Sequence, residues 1–226
     1  MKTERVPVEQ EVEVAKKYFG SFAEDYHRAF EGAGQNRLHH LINKLFRKKT
    51  FVLRTVIVRD LLSKHGVAGK QVLDLGSGSG EVSVIAAQLG ATVTGLDIVP
   101  EMVEIARREA ERQRVADRVT FKVHDVVTQP VPAADVAMMI GVIEYYSDLA
   151  AILGKVAAAT RERIIICDTR GPWWRRMLRF GLARGKGFYL HYHSPDTVAG
   201  ILRGSGFVED ARILGHSFTV MAFRRQ

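Results

Sequence analysis

An α/β fold built on a largely parallel sheet is the fold class this sequence predicts, on three observations. Past Lys70 short apolar runs alternate with amphipathic helical stretches. The runs are apolar almost throughout, as strands buried on both faces are. A glycine-rich turn stands where the first run meets the first helix. The runs fall at residues 71–75, 92–96, 119–123, 135–140 and 163–167, and the helices at 81–89, 100–114 and 148–159. Ahead of them, Val12, Ala15, Tyr18 and Phe19 among Glu and Lys predict a helix over 6–19. Leu41, Ile42, Leu45, Phe46, Val52, Leu53, Val56 and Ile57 predict a second over 38–64, after a loop at Phe30-Glu31-Gly32-Ala33-Gly34. Beyond Thr169 the alternation breaks: 171–187 is basic and aromatic, 194–204 reads as a helix, and 207–214 and 217–223 read as two last strands. The expected organisation is a helical N-terminal cap over 1–66 and an α/β domain over 67–226, with a substrate-side insertion at about 170–193.

A chain of 226 residues is long enough for one large domain with a sizeable core. With 46% hydrophobic and 26% charged residues its composition is globular rather than disordered. The single cysteine, Cys167, excludes an internal disulfide. It follows Ile164-Ile165-Ile166, which reads as a buried, inert thiol in a reducing, cytoplasmic setting. The opening Met1-Lys2-Thr3-Glu4-Arg5 has no apolar stretch behind it and does not read as a secretory signal. No run approaches the roughly 20 apolar residues of a membrane-spanning helix. A formal net charge of +8 favours anionic partners (nucleic acid, a membrane surface or an acidic small molecule) and does not choose among them.

The chemistry concentrates at the ends of successive strands. Asp74-Leu75-Gly76-Ser77-Gly78-Ser79-Gly80 follows the first strand and opens a helix. Glycines here let the backbone turn sharply and let a ligand press against it, and the helix start offers unpaired N–H groups. The spacing is GxGxG and not the GxGxxG that brings a helix N-terminus onto a pyrophosphate, and an acid ahead of the glycines suits an amine. Asp97 ends the second strand, where a carboxylate can accept from two adjacent ribose hydroxyls. Asp125, behind His124 and ahead of Val126, ends the third and could accept from an adenine amino group. Each aspartate alone also reads as a strand-end cap; three in succession behind a GxGxG turn point to an adenosyl ligand at the carboxyl ends of the strands.

These residues resemble a family. Residues 72–80, Asp97 and His124-Asp125 look like the first three motifs of the class I S-adenosylmethionine-dependent methyltransferases, and Met102 and Ala106 fit the same pattern. The resemblance covers roughly residues 50–170. It implies S-adenosylmethionine as cofactor and a Rossmann-like, seven-stranded, mostly parallel sheet with an antiparallel last strand and helices on both faces. It also implies that Leu96 and Ile98 flank the adenine, and that Gly141-Val142-Ile143-Glu144 passes near the methyl group. Tyr18-Phe19, Tyr26 and Tyr192-His193-Ser194-Pro195 resemble the small-molecule branch, which includes the ubiquinone-pathway and magnesium-protoporphyrin methyltransferases.

Methyl transfer is a displacement at an activated sulfonium, so positioning supplies much of the acceleration, and a base is needed only for a hydroxyl or a protonated amine. Tyr26, His27, Glu144, Tyr145, Tyr146, His191 and His193 are the candidates, with Glu144 and Tyr145 first because their loop should face the acceptor. His191 and His193 also read as a surface and a packing histidine, and no third ligand at a recognisable spacing makes them a metal site. Neither an Asn/Asp-Pro-Pro-aromatic motif after the fourth strand nor a Pro-Cys around Cys167 is present, which argues against nucleic acid as the target. Residues 170–186 carry Arg170, Arg175, Arg176, Arg179, Arg184 and Lys186, no acid, and Trp173, Trp174, Met177, Leu178 and Phe180. A lid over an apolar anionic acceptor, a helix resting on anionic lipid, an ordinary packed helix and a single-stranded RNA contact all fit that pattern. Arg47-Lys48-Lys49 and Arg54 form a second basic cluster. The expected activity is methylation of a small, largely apolar acceptor, with or without an anionic group, and with O-methylation favoured; an RNA methyltransferase and a non-catalytic cofactor-binding regulator are the alternatives. Oligomeric state is not legible.

Overall fold

Strands apolar on both faces need cover on both sides, and in this computed structural model they lie at the centre of a seven-stranded sheet packed by helices on each face. The structure describes residues 48–169, 190–215 and 217–226, together with Glu13, Val14, Lys16, Lys17, Phe19 and Gly20. In chain order these form α1 (Lys48–Lys64), β1 (Gln71–Leu75), α2 (Glu81–Gln88), β2 (Thr92–Asp97), α3 (Pro100–Arg112), β3 (Val119–Val123) and β4 (Ala134–Ile140). A 3-10 turn (Ile143–Tyr145), α4 (Leu149–Ala159), β5 (Thr160–Thr169), α5 (Pro195–Gly204), β6 (Phe207–Leu214) and β7 (Phe218–Arg225) follow. Expectations for 21–47, including Tyr26 and His27, and for the basic stretch 170–186 lie outside the described residues.

The strand order is β3-β2-β1-β4-β5-β7-β6. All neighbours are parallel except β7, which is antiparallel to both β5 and β6. The Rossmann-like sheet with an antiparallel last strand is therefore as expected. Side-chain alternation splits the core in two. On one face Val136, Met138, Ile165 and Val220 pack against Val58, Leu61 and Leu62 of α1 and against α2 and α3. On the other Ala137, Met139, Ile164, Ile166, Met221 and Phe223 pack against Leu153 and Val156 of α4 and Val198 and Leu202 of α5.

Local chemistry sets the element ends. The Asp148 carboxylate accepts from the Ala151 N–H at 3.0 Å and the Ser194 hydroxyl from the Thr197 N–H at 3.0 Å, so each caps a helix start; Pro195 fits the first turn of α5. Several boundaries shift by one or two residues, and the start of β5 shifts by three. β5 begins at Thr160 rather than Arg163, because α4 runs into it with no loop. Thr160 Oγ1 donates to the Val156 carbonyl at 2.7 Å, and the Arg225 guanidinium donates to the carbonyls of Ala157 and Thr160 at 2.6 and 2.5 Å, satisfying the helix end without further residues. No helix among the described residues is long and apolar enough to cross a membrane.

Phe223, fully buried between α5 and the sheet, tests the second core. Phe223→Ala is expected to lower unfolding free energy by about 3–5 kcal/mol, read as a lower urea midpoint at unchanged slope.

Candidate active site

The strand order reverses between β1 and β4, since β1 is followed outward by β2 and β3 on one side and by β4 and β5 on the other. Loops leaving the carboxyl ends of the strands diverge there, and a cleft opens between them. The residues after β1, β2, β3 and β4 line it: Asp74 to Ser79, Asp97 to Val99, His124 to Val127, and Gly141, Val142, Tyr145 and Tyr146.

The glycine turn is shaped by contact as much as by conformation. Gly76 has φ +70°, and a Cβ there would lie 2.5 Å from Val142 Cγ2, so the turn presses directly on the loop after β4. Its N–H and that of Ser77 donate to the Leu96 carbonyl at 2.8 and 3.0 Å, tying the turn to β2. Gly78 differs: a Cβ there would meet nothing within 4 Å, so the space beside its backbone is open.

Asp97 grips that turn from the end of β2. Its Oδ2 accepts from the Gly78 N–H at 2.8 Å and its Oδ1 from the Val99 N–H at 2.9 Å. Each oxygen keeps a lone pair, because a carboxylate has about four acceptor sites. Burial raises its pKa above the ordinary aspartate value, and the backbone N–H groups of Val99, Gly78 and Ile98 oppose that. Asp74 is buried beneath the turn, and the Ser83 hydroxyl donates to its Oδ2 at 2.6 Å. Burial pushes its pKa up to about 6, with the Ser83 bond working the other way. Asp125 lines the cleft, but both its oxygens serve its own loop: Oδ1 accepts from the Val127 N–H and Oδ2 from the Thr128 hydroxyl, each at 2.9 Å. The strand-end cap is thus a role its carboxylate does fill, with acceptor capacity left over.

The fit of an adenosylmethionine-like group is tested by what the cleft leaves open. Ser77 Oγ and His124 Nε2 are shielded from solvent and have no hydrogen-bond partner among the described residues. Asp97 has spare acceptor sites for vicinal hydroxyls, and Gly78 leaves room where a ligand would press. Ile98, Met102 and Val126 supply apolar walls; Met102 and Val126 are themselves buried. These residues fit an adenosyl group. No group of three or more potential metal ligands occurs among the described residues.

Around the β4 exit the candidate bases separate. Gly141 sits at φ +76° and its N–H donates to the Cys167 carbonyl at 2.8 Å, which turns the chain into the 3-10 segment. Tyr145 and Tyr146 line the cleft; Glu144 (1% exposed), His191 and His193 do not, and the Glu144 carbonyl accepts from the His191 N–H at 2.7 Å. Burial, with the charges of Asp97 and Asp125, raises the Tyr146 phenol above the usual tyrosine range. His193 Nε2 lies 3.2 Å from the Tyr146 carbonyl. A carbonyl only accepts, so that nitrogen carries the hydrogen and Nδ1 is left as the basic one. Burial lowers the His193 pKa, opposed by that hydrogen bond. Cys167 is buried and its pKa is pushed up to about 12, chiefly by burial, as an inert thiol would be.

Phe19, named with Tyr18 in the resemblance, packs edge-on against Tyr145 at 5.4 Å between ring centroids and lines the cleft with Ile98. Two wall residues escape the sequence motifs. Arg54, read in sequence as part of a basic cluster, reaches the cleft from α1; its charge lowers the pKa values of both Asp74 and Glu81. Glu81 opens α2 directly after Gly80, the one signal that could have found it, and burial pushes its pKa up to about 7.

Comparison with known proteins agrees with this architecture. Residues 67–177 match the family model described as a methyltransferase domain, so this stretch of the chain is a methyltransferase domain. A demethylmenaquinone methyltransferase of Tropheryma whipplei (strain Twist) is 31% identical over 126 residues, 52% of each chain, so this chain spans about half the length of that relative. A ubiquinone biosynthesis O-methyltransferase of Xanthomonas axonopodis pv. citri is 28% identical over 171 residues, 71% of this chain and 72% of its own. The crystal structure of magnesium protoporphyrin IX methyltransferase from Synechocystis PCC 6803 with bound S-adenosylhomocysteine shares the fold at a TM-score of 0.78. It is 21% identical, over 96% of this chain and 100% of that one. These matches agree with the resemblance to the class I S-adenosylmethionine-dependent methyltransferases.

Two of the raised carboxyls, Glu81 and Asp74, contribute a pH dependence. Glu81 ionises at about 7 when folded, against 4.5 for the free group, and Asp74 at about 6 against 3.8. Between those values the folded protein holds protons that the unfolded chain has lost, so their contribution to stability is complete below the unfolded values and is lost as pH rises through the folded ones. Ligand-free Glu81→Gln lacks this loss, so its urea midpoint is expected to rise relative to that of the wild type between pH 4.5 and 7.

Proposed function

We propose that this protein binds S-adenosylmethionine in the cleft and transfers its methyl group to a small, largely apolar acceptor, with oxygen as the favoured methylated atom. The observation that carries the reading is Asp97, held by the Gly78 and Val99 N–H groups beside the open side of Gly78. A carboxylate fixed in this way meets two vicinal hydroxyls with no reorganisation of its own. The cofactor, when bound, supplies a methyl already activated as a sulfonium.

The chain's residues divide the remaining work. Asp97 holds the ribose; Ile98, Met102 and Val126 enclose the adenine, with His124 and Asp125 as acceptors at its edge. Gly76 and Ser77 line the methionine end, where Arg54 faces the carboxylate and Asp74 and Glu81 the ammonium. Gly141 to Tyr146 direct the methyl toward the acceptor. Tyr146, whose phenol stays protonated, acts there as a hydrogen-bond donor. His193, kept neutral by burial and oriented through Nε2–H to the Tyr146 carbonyl, is the base for an acceptor hydroxyl through Nδ1. His191 and Glu144 buttress this loop through their backbone bond, and Tyr26 belongs with the N-terminal cap over the acceptor. The chain ahead of α1 supplies that cap, α1 itself being packed on the sheet, and the basic, aromatic insertion at about 170–193 completes the acceptor pocket. The protein works in the cytoplasm, in contact with anionic membrane surface where its acceptor is membrane-borne.

The test is transfer of labelled methyl from S-adenosylmethionine into a fractionated lysate of the source cell. Label in the organic-soluble fraction, slowed about 10²-fold by His193→Ala, is the expected result; label in RNA would replace the acceptor class. Asp97→Ala is expected to weaken S-adenosylhomocysteine binding by about 10²-fold or more. Unchanged affinity by calorimetry would remove the ribose assignment.

A further inference from the structure

We infer that Lys155, on α4 and outside the cleft, is a positioning residue that sets the adenine-reading loop after β3. The inference rests on the cofactor reading above and extends it to a residue that no motif marks. Lys155 belongs to the exposed face of α4, where an ammonium ordinarily stays in water. Here its Nζ donates instead to the Val126 carbonyl at 3.2 Å and the Val127 carbonyl at 2.5 Å. Those two residues line the cleft.

The loop is thereby fixed peptide by peptide. The unit joining Val126 to Val127 is held at both ends: Lys155 takes its carbonyl, and Asp125 Oδ1 takes its N–H at 2.9 Å. The Asp125 carbonyl accepts from the Gln129 N–H at 2.9 Å, closing the turn. A trans peptide is planar, with N–H opposed to C=O, so fixing that carbonyl inside the turn also fixes the direction of the Val126 N–H. The Val126 side chain is buried in the core on the α4 face, which anchors the same point from a third direction. Without Lys155 two carbonyls lose a charged donor, and the peptide planes that meet the adenine edge gain freedom.

The experiment compares S-adenosylhomocysteine with S-inosylhomocysteine, in which a 6-oxo group replaces the 6-amino group, by calorimetry on the full chain. For Lys155→Met we expect S-adenosylhomocysteine affinity to fall about tenfold and the preference for it over the inosine analogue to shrink. Lys155→Arg, whose guanidinium can still reach both carbonyls, is expected to restore both. Unchanged affinity in Lys155→Met, or equal losses for the two ligands, would overturn the inference, the second because a general loosening does not read the 6-position. Absence of S-adenosylhomocysteine binding by the wild-type protein would overturn the cofactor reading itself, and is visible before any variant is made.

Discussion

Much of this site depends on one carboxylate. Asp97 ends β2, yet its hydrogen bond to the Gly78 N–H reaches back to the turn that ends β1, and its bond to the Val99 N–H sets the start of α3. Two strand exits and a helix entry are thereby locked at one point, which is also where the cleft opens. The desolvation that raises the Asp97 pKa is offset by backbone donors rather than by a cation. The group therefore remains an acceptor of defined direction, with lone pairs left for a ligand.

The turn it grips would not survive a less specific neighbourhood. Gly76 touches Val142, so the loop after β1 and the loop after β4 are in contact through a missing side chain. The loops that line the cleft after β1 and after β4 are in this way held at a fixed spacing by van der Waals contact, which yields little. Arg54 and Glu81 add charge to one end, and Phe19 with Tyr145 adds apolar cover to the other. The polarity of the cleft thus changes along its length as an amino acid joined to a nucleoside requires.

What was legible in the sequence is what local pattern controls. The strands 71–75 and 119–123 could be read to the residue because apolar runs between helices admit one arrangement, and the GxGxG turn with Asp97 announced the cleft. The start of β5 was not, because Arg161 and Glu162 look like a loop and only the pairing of Thr160 with Ala134 makes them strand. Glu144 was a first choice on its position after β4, yet a 3-10 turn rotates it away from the cleft wall while Tyr145 and Tyr146 stay on it. No period in the sequence encodes that rotation. Arg54 and Lys155 were hidden for a related reason: each reaches the site across a helix packing whose direction the sheet decides. Asp125 was found, but its service to its own loop lies in bonds that a motif does not record.

The placement of β7 bears on how the molecule assembles. β6 precedes it in the chain but touches the sheet only through it, since the order runs β5-β7-β6. A nascent chain with β1 to β5 complete can pair those strands in sequence, yet β6 has no edge to join until β7 has docked between them. Only the gap from β1 to β4 is longer than that from β5 to β7, and contacts so distant in sequence form late. Until β7 docks, Phe207 and Phe223 lack the sheet that covers them, so the β5 edge is the apolar flank that stays open longest.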